Sequence, residues 1–247
     1  MENKSLMENK TSPRTNAVEK LENYLLVNHL PANSKIPSER DLCKLWNVNR
    51  TTLRFAVDML IDSGKLYRKK GAGTFVAEAK LPRNLLGVNS FASEMRQQGT
   101  ALTTKILSFR TLECTKQISK KLHVTLGNKI YEIIRLRHVQ GQPCIIETTY
   151  INAETFPNFE NYNLEKDSMY SIFTNIYKKK IIRGEENISV TYATKEEAAF
   201  LEIEPDSPVF FATGVTMSSE NEPLEYYKLL FRADRFKFVS VTHRRED

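Results

Sequence analysis

Five polar side chains within residues 49–54 are of the types that read DNA. They are Asn49, Arg50, Thr51, Thr52 and Arg54, and the same stretch carries the apolar residues Leu53, Val57 and Leu60 at helical spacing. Arginine can bind guanine through two hydrogen bonds in the major groove, and threonine hydroxyls can hold phosphates. Because a recognition helix presents its N-terminal residues to the base edges, this pattern predicts a DNA-contacting helix. The alternative is an ordinary solvated helix surface.

A short basic segment follows this predicted helix. Arg68, Lys69 and Lys70 stand directly before Gly71 and Gly73, with β-forming residues on both sides. Glycine leaves the backbone free to approach a partner closely. We therefore predict a hairpin whose basic tip contacts the DNA backbone or the minor groove.

A second group of charged residues lies in the C-terminal half of the chain. Arg135 and Arg137 are two residues apart on a predicted strand, so both side chains point to the same sheet face. Ser90 and Ser168 each precede a short predicted helix, whose free N–H groups favour phosphate or carboxylate. Two guanidiniums on one face attract an anion, which predicts a small phosphorylated ligand. The alternatives are a salt-bridged arginine pair and ordinary helix-capping serines.

Two glutamates could complete this ligand site. Glu147 and Glu225 lie on other predicted strands and could accept hydrogen bonds from hydroxyl or amine groups of the ligand. Arg135 and Glu147 share a face only if the hairpin around Gly141 pairs them in even register, because a shift of one residue turns Glu147 to the opposite face. The sequence leaves this register open.

The elements that position the first group are three helices and a hairpin. Apolar spacing and capping residues predict three helices, at 14–30, at 38–46 with Ser38 as its cap, and at 49–63. Asn47 is predicted to form a tight left-handed turn between the second and the third. The segment from 65 to 77 then predicts a β-hairpin closed by glycines. Together they form a winged helix-turn-helix.

The second half of the chain alternates strands with short helices, which predicts an α+β fold with a mostly antiparallel sheet. The predicted strands are 103–113, 129–140, 143–151, 180–192, 207–218 and 223–242, and the predicted helices are 90–98, 116–122, 168–177 and 194–201. We expect a disordered start at 1–12, a DNA-binding domain at 13–77, a linker at 78–88 around Pro82, and a second domain at 89–247.

The composition narrows the class of protein. The chain has 247 residues, of which 40% are hydrophobic and 27% charged, and it holds no apolar run of the ~20 residues that span a bilayer. Residues 1–80 carry 14 Lys and Arg against 9 Asp and Glu, whereas residues 81–247 carry 22 against 21. The three cysteines, Cys43, Cys114 and Cys144, are widely spaced, which argues against disulfides and zinc. We expect a cytoplasmic protein whose N-terminal domain binds a polyanion.

The segment IPSERDLCKLWNVNRTTLRFAVDMLIDSGKLYRKKGAGTFV resembles the DNA-binding domain of the GntR family of bacterial transcription regulators. The resemblance implies that Arg40, Arg50 and Arg54 contact bases and phosphates. Phe55 stands where the family usually has a charged residue. The full predicted DNA-binding set is Arg40, Asn49, Arg50, Thr51, Thr52, Arg54, Lys69, Lys70 and Gly71.

Residues 90–240 resemble the UTRA effector domain of the HutC subfamily, which has a chorismate-lyase-like fold. The matching strings are SFASEMRQQG, RLR, PCIIETTY, SMYSIF, EPLEY and FRADRF. The effector-binding residues that the resemblance implies are Ser90, Phe91, Arg135, Arg137, Glu147, Ser168, Tyr170, Glu225 and Phe231. Phe231 departs from the tyrosine of readers of amino-sugar phosphates.

These observations predict a homodimeric repressor that binds a palindromic operator and responds to a small anionic metabolite, with a sugar phosphate as the favoured class. Two alternatives stay open: an enzyme of chorismate-lyase-like fold, and a DNA-binding protein whose C-terminal domain only dimerises. The four histidines show no metal spacing, and no G-x-S-x-G or P-loop motif occurs. We therefore expect no catalytic residues, no metal and no cofactor.

Overall fold

The computed structural model describes residues 12–69, 71–85 and 90–240. The chain divides into two compact units, Met1–Lys80 and Leu81–Asp247. Within the described residues, no helix is both long enough and apolar enough to cross a membrane. Most of the predicted disordered start, residues 1–11, lies outside the described part, whereas Ser12 accepts a hydrogen bond from the Thr15 N–H and caps the first helix.

The first unit contains three helices and a two-stranded sheet. The helices are α1 (Pro13–Val27), α2 (Glu39–Trp46) and α3 (Arg50–Asp62), followed by the antiparallel strands β1 (Leu66–Lys69) and β2 (Gly73–Val76). Ser38 and Asn49 cap α2 and α3 as predicted, and Asn47 takes the predicted left-handed conformation with φ 50°. Leu21 and Leu53 are fully buried between the helices, where each contributes about 1.5–3 kcal/mol.

The second unit is built on a six-stranded antiparallel sheet with the order β4-β5-β6-β9-β8-β7. Its elements are β3 (Leu81–Asn84), α4 (Phe91–Gln97), β4 (Leu102–Glu113), α5 (Lys116–Leu122), β5 (Lys129–Val139), β6 (Gln142–Asn152), a 3-10 turn (Phe159–Asn161), α6 (Met169–Asn175), β7 (Ile181–Tyr192), α7 (Lys195–Leu201), β8 (Pro208–Ser218), β9 (Pro223–Arg232) and β10 (Phe236–Val239). The α+β class is confirmed, since an N-terminal helical unit precedes an antiparallel sheet.

Helices cover both faces of this sheet. On one face, Met95 of α4 belongs to the same buried cluster as Phe231, and Phe173 of α6 belongs to the same cluster as Ile133. On the other face, residues of α5 and α7 pack on the alternate residues of the same strands. The first face also bears Arg135 and Arg137 of β5, Glu147 of β6 and Glu225 of β9, because residues two apart on a strand point the same way.

The structure corrects two boundaries of the predicted elements. The span 78–88, assigned to the linker, contains β3, which pairs in parallel with β10; residues 86–88 lie outside the described part. Such a pairing joins residues about 150 positions apart in the chain and leaves no local sequence signal. The predicted strand 223–242 was wrong as a single element, because the chain turns at 233–235 between β9 and β10, and residues 241–242 lie outside the described part.

Candidate nucleic-acid interface and ligand cavity

The N-terminal end of α3 presents its polar residues to solvent. The carboxamide oxygen of Asn49 accepts the Thr52 N–H at 2.7 Å, which fixes the start of the helix. Thr51 and Arg54 are exposed, and the side chain of Arg50 is 79% exposed. Leu53, Val57 and Leu60 are buried on the opposite side. The helix therefore has a buried face and a free polar face, as major-groove binding requires.

Two acidic residues, not singled out from the sequence, position the basic side chains of this surface. Glu39 lies 3.3 Å from Arg68 Nη2 and 3.8 Å from Arg50 Nε. Asp58 lies 2.7 Å from Arg68 Nη1. These contacts attach the hairpin strand β1 to α2 and α3. Arg68 is consequently oriented by protein carboxylates, whereas Arg50 extends into solvent.

The remaining predicted DNA-binding residues lie on the surface of the same unit. Arg40, Lys69 and Gly71 are exposed and Thr52 is half-buried. Lys70 lies outside the described residues.

The unusual residue Phe55 has a packing partner. The Arg14 guanidinium lies 5.1 Å from the centre of the Phe55 ring. This contact between α1 and α3 explains an aromatic residue at a position where the resemblance leads one to expect a charge.

A cavity of about 640 Å³ opens in the second unit, between the sheet and helices α4 and α6. It is lined by eight of the nine predicted effector residues, namely Ser90, Phe91, Arg135, Arg137, Glu147, Ser168, Tyr170 and Glu225. Phe231 is the exception. Its side chain is fully buried against Phe91 and Phe236 in the core, so it supports the cavity wall without lining it.

The register that the sequence left open places Arg135 directly opposite Glu147. The turn at Gln140 and Gly141 takes positive φ at both residues, 53° and 80°, as a two-residue hairpin turn of type I′ requires. Arg135 Nη2 donates to Glu147 Oε1 at 2.7 Å, and Arg137 Nε donates to Oε2 at 2.8 Å. Both arginines and the glutamate therefore share the cavity face of the sheet.

This cluster has an excess of positive charge and of hydrogen-bond donors. Arg135 is 2% exposed, and its Nε and Nη1 have no partner within the described residues. Burial and the neighbouring Arg137 lower the pKa of Arg135 to about 10. Burial alone would raise the pKa of Glu147, but the two guanidiniums overcome this effect and hold it at about 2. Two cations and one anion with unsatisfied N–H groups make a site for an anion.

Glu225 occupies a different electrostatic environment in the same cavity. The Tyr170 hydroxyl donates to Glu225 Oε1 at 2.6 Å. Burial is the largest cause that raises the pKa of Glu225 to about 7, and the nearby Glu147 adds to it. The carboxyl group of Glu225 therefore titrates near neutrality and can either donate or accept a hydrogen bond from a ligand.

The two serines differ in their roles. Ser90 accepts the Ser93 N–H at 3.2 Å and so caps α4. Ser168 begins α6 without a capping bond from its side chain. The Ser168 hydroxyl therefore keeps its hydrogen-bonding capacity at the cavity wall.

Sequence reasoning missed the residues at the other end of the cavity. Arg83 of β3 donates to Glu186 of β7 at 2.9 Å, and the Tyr227 hydroxyl lies 3.1 Å from the same carboxylate. A Cβ at Gly214 would overlap the Tyr227 ring, so glycine is needed for the ring to reach Glu186. The alternation of Gly184, Glu186 and Ile188 could have indicated a cavity-facing strand, but nothing in the sequence indicated Arg83.

The described residues contain no cluster of three or more His, Cys, Asp or Glu side chains that could hold a metal ion. The charged and polar side chains that line the cavity can recognise a ligand by charge and hydrogen bonding.

Two family models match the chain. The one described as bacterial regulatory proteins, gntR family, matches residues 13–76, and the one described as UTRA domain matches residues 97–237, more than half of the chain. The HTH-type transcriptional repressor NagR of Bacillus subtilis (strain 168) is 28% identical over 227 residues, which cover 92% of this chain and 93% of that protein.

Further relatives agree with these matches. The probable fructoselysine utilization operon transcriptional repressor of Escherichia coli (strain K12) is 27% identical over 204 residues, covering 83% of this chain and 84% of that protein. The crystal structure of PhnF from Mycobacterium smegmatis has a TM-score of 0.68 at 23% identity, and the match covers 93% of this chain and 100% of that one. This last likeness shows a shared fold.

Proposed function

The chain belongs to the gntR family of bacterial regulatory proteins and carries a UTRA domain, and on that premise we propose that a small anionic metabolite in the cavity controls its affinity for DNA. The chain is a DNA-binding transcription regulator of the repressor type and not an enzyme. The favoured class of effector is a sugar phosphate. We place the protein in the cytoplasm, where it acts as a homodimer on a palindromic operator.

The observation that carries this proposal is the Arg135–Glu147–Arg137 cluster in the cavity wall. The cluster holds two cations and one anion. The buried Nε and Nη1 of Arg135 have no hydrogen-bond partner within the described residues. An unsatisfied buried donor costs about 1–3 kcal/mol, so a bound phosphate or carboxylate gains this amount in addition to its charge attraction. The name of the fructoselysine relative supports a sugar-related effector.

The exposed α3 face supports operator recognition by two copies of the chain. A two-fold dimer of such units reads half-sites about one helical turn, ~10 bp, apart or a multiple of that spacing. To shift a dimer from almost fully DNA-competent to almost fully released, the effector must prefer the released form by about 5.5 kcal/mol.

The test uses the full chain and an operator selected by the protein from random DNA duplexes. We expect glucose 6-phosphate, glucosamine 6-phosphate or a related sugar phosphate to weaken operator binding at least tenfold in a mobility-shift titration. Arg135→Ala, with its folding verified by circular dichroism because it breaks the buried ion pair with Glu147, should bind the operator normally and lose the response. Arg183→Ala, which changes an exposed arginine outside the cavity, is the matched control and should respond normally.

Two results would contradict the proposal. If no sugar phosphate, inorganic phosphate or organic acid changes operator binding by the unaltered protein, the C-terminal unit does not sense an anion and the dimerisation alternative is favoured. If Arg135→Ala keeps its full response, the arginine cluster is structural.

A further inference from the structure

A second charged cluster lies at the end of the cavity opposite Arg135. Arg83 of β3, Glu94 of α4 and Glu186 of β7 all line the cavity. Arg135 stands on β5, whereas the Arg83 guanidinium lies over Phe231 of β9, and β9 is two strands away from β5 in the sheet. At ~4.8 Å per strand step, the two arginines are therefore about 10 Å apart across the sheet. One ligand of modest length can reach both clusters.

The second cluster contains an unsatisfied hydrogen-bond acceptor. Glu94 is only 8% exposed, and its Oε2 has no hydrogen-bond partner within the described residues. Burial is the main cause that raises its pKa, and Arg83 opposes this effect. A buried carboxylate oxygen at a cavity wall needs a donor, and a positively charged donor satisfies both its charge and its lone pairs.

The same cluster contains unsatisfied donors. Arg83 uses Nη2 for Glu186 at 2.9 Å, whereas its Nε and Nη1 are buried without a hydrogen-bond partner in the described part of the chain. The guanidinium lies 4.8 Å from the centre of the Phe231 ring. Because Nε–H and Nη1 lie on opposite sides of the guanidinium, they cannot bind one carboxylate through two parallel hydrogen bonds, but each can donate a charge-assisted hydrogen bond to an anionic oxygen.

A single charged group cannot satisfy both sets of atoms. An ammonium group alone would leave the N–H groups of Arg83 unpaired, and a carboxylate alone would leave Glu94 unpaired. A ligand that carries both groups side by side satisfies both, as an α-amino acid does. Glu186 adds a second carboxylate beside them, whose Oε1 accepts from Arg83 and from the Tyr227 hydroxyl.

We infer that Arg83, Glu94 and Glu186 form a second subsite that binds an α-amino-acid group, with its ammonium on the two glutamates and its carboxylate on Arg83. The inference rests on the proposed function, because it assigns the anionic end of the same effector to Arg135 and Arg137. The effector then carries a phosphate or carboxylate for Arg135 and Arg137 as well as an amino-acid group for the second subsite.

The test is isothermal titration calorimetry of the full chain with probes of two lengths. O-phospho-L-serine and O-phospho-L-tyrosine each carry a phosphate and an amino-acid group. Each is compared with its analogue that lacks the carboxylate, its analogue that lacks the ammonium, and inorganic phosphate. For the better-fitting length, we expect the complete probe to bind at least tenfold more tightly than either analogue.

Glu94→Gln provides the second measurement. It should remove the preference for the ammonium group and leave binding of the analogue without ammonium unchanged. Glu196→Gln, at an exposed position on α7, should behave as the unaltered protein. The comparison among probes needs no variant, so it stands even if Glu94→Gln fails to fold.

Each outcome bears on the inference. If inorganic phosphate binds but the complete probes bind no better than their analogues at either length, the second subsite is refuted and the proposed function stands. If neither inorganic phosphate nor any probe binds, the anion site fails and the second subsite fails with it.

Discussion

Replacing Glu147 by glutamine should destabilise the second unit strongly, although the change is nearly isosteric. The carboxylate receives hydrogen bonds from Arg135 at 2.7 Å and from Arg137 at 2.8 Å. Removing its charge takes away the carboxylate that binds both buried guanidiniums. Breaking a buried ion pair from one side is among the most costly single changes in a protein.

The magnitude follows from the pKa of Glu147. The value is about 2 in the folded protein against an ordinary 4.5, a difference that corresponds to about 3 kcal/mol in favour of the ionised form. Glu147→Gln should therefore lower the free energy of unfolding by about 3 kcal/mol at pH 7. For a unit of this size we expect Tm to fall by about 6–12 °C.

The assay is urea and thermal unfolding followed by circular dichroism. The fluorescence of Trp46, the single tryptophan of the chain, follows the first unit and serves as an internal reference. Glu220→Gln removes one of two partners of Lys179 at a carboxylate whose side chain is 66% exposed, and should cost less than about 1 kcal/mol.

The pH dependence and the response to anions sharpen this prediction. Because the folded pKa of Glu147 is lowered, its stabilisation is complete above pH 4.5 and is lost as the pH falls toward 2. The gap between Glu147→Gln and the unaltered protein should shrink over that range. Inorganic phosphate should stabilise the variant more than the unaltered protein. Equal stability of the two proteins at pH 7 would refute the electrostatic account of this cluster.

Three further predictions concern other parts of the molecule. Arg50→Ala should cost about 1–3 kcal/mol of specific binding and relax the preference at one base pair, whereas Lys69→Ala should weaken binding to all sequences alike. Mobility shifts on operator and random duplexes distinguish the two effects. Equal losses of Arg50→Ala on both duplexes would count against base reading. Because the folded pKa of Glu225 is raised to about 7, the stability of the protein should fall as the pH rises from 4.5 to 7 and then level off. Glu225→Gln should remove this slope and, in urea unfolding at pH 8, be more stable than the unaltered protein by up to about 3 kcal/mol. An unchanged slope in the variant would contradict the assignment to Glu225. Gly214→Ala should cost about 1–3 kcal/mol, because its Cβ overlaps the Tyr227 ring; an unchanged urea midpoint would show that the ring moves freely.

The first unit was predictable from sequence because its signals are local. Ser38 and Asn49 cap helices within three residues of the groups that they bind, and Asn47 forms its turn alone. The ion pairs of Glu39 and Asp58 with Arg68 were not predictable, since they depend on how three separate elements pack.

The cavity was predictable only in part. Arg135 and Arg137 were recognised from their spacing along one strand, and the register of Glu147 followed once the turn at Gln140 was known. Arg83 was missed because β3 holds its position through pairing with β10, near the other end of the chain. Phe231 was misplaced because position in a sequence motif does not distinguish a side chain in the cavity from one in the core behind it.

The parallel pairing of β3 with β10 has a consequence for the order in which the nascent protein matures. The helices and hairpin of the first unit are complete once the ribosome has passed Lys80, whereas the strand that carries Arg83 finds its partner only when Phe236–Val239 have been made. At ~5–20 residues per second, synthesis of the intervening chain takes about 8–30 s. The first unit of each new molecule is therefore fully synthesised well before the cavity of the second unit can close.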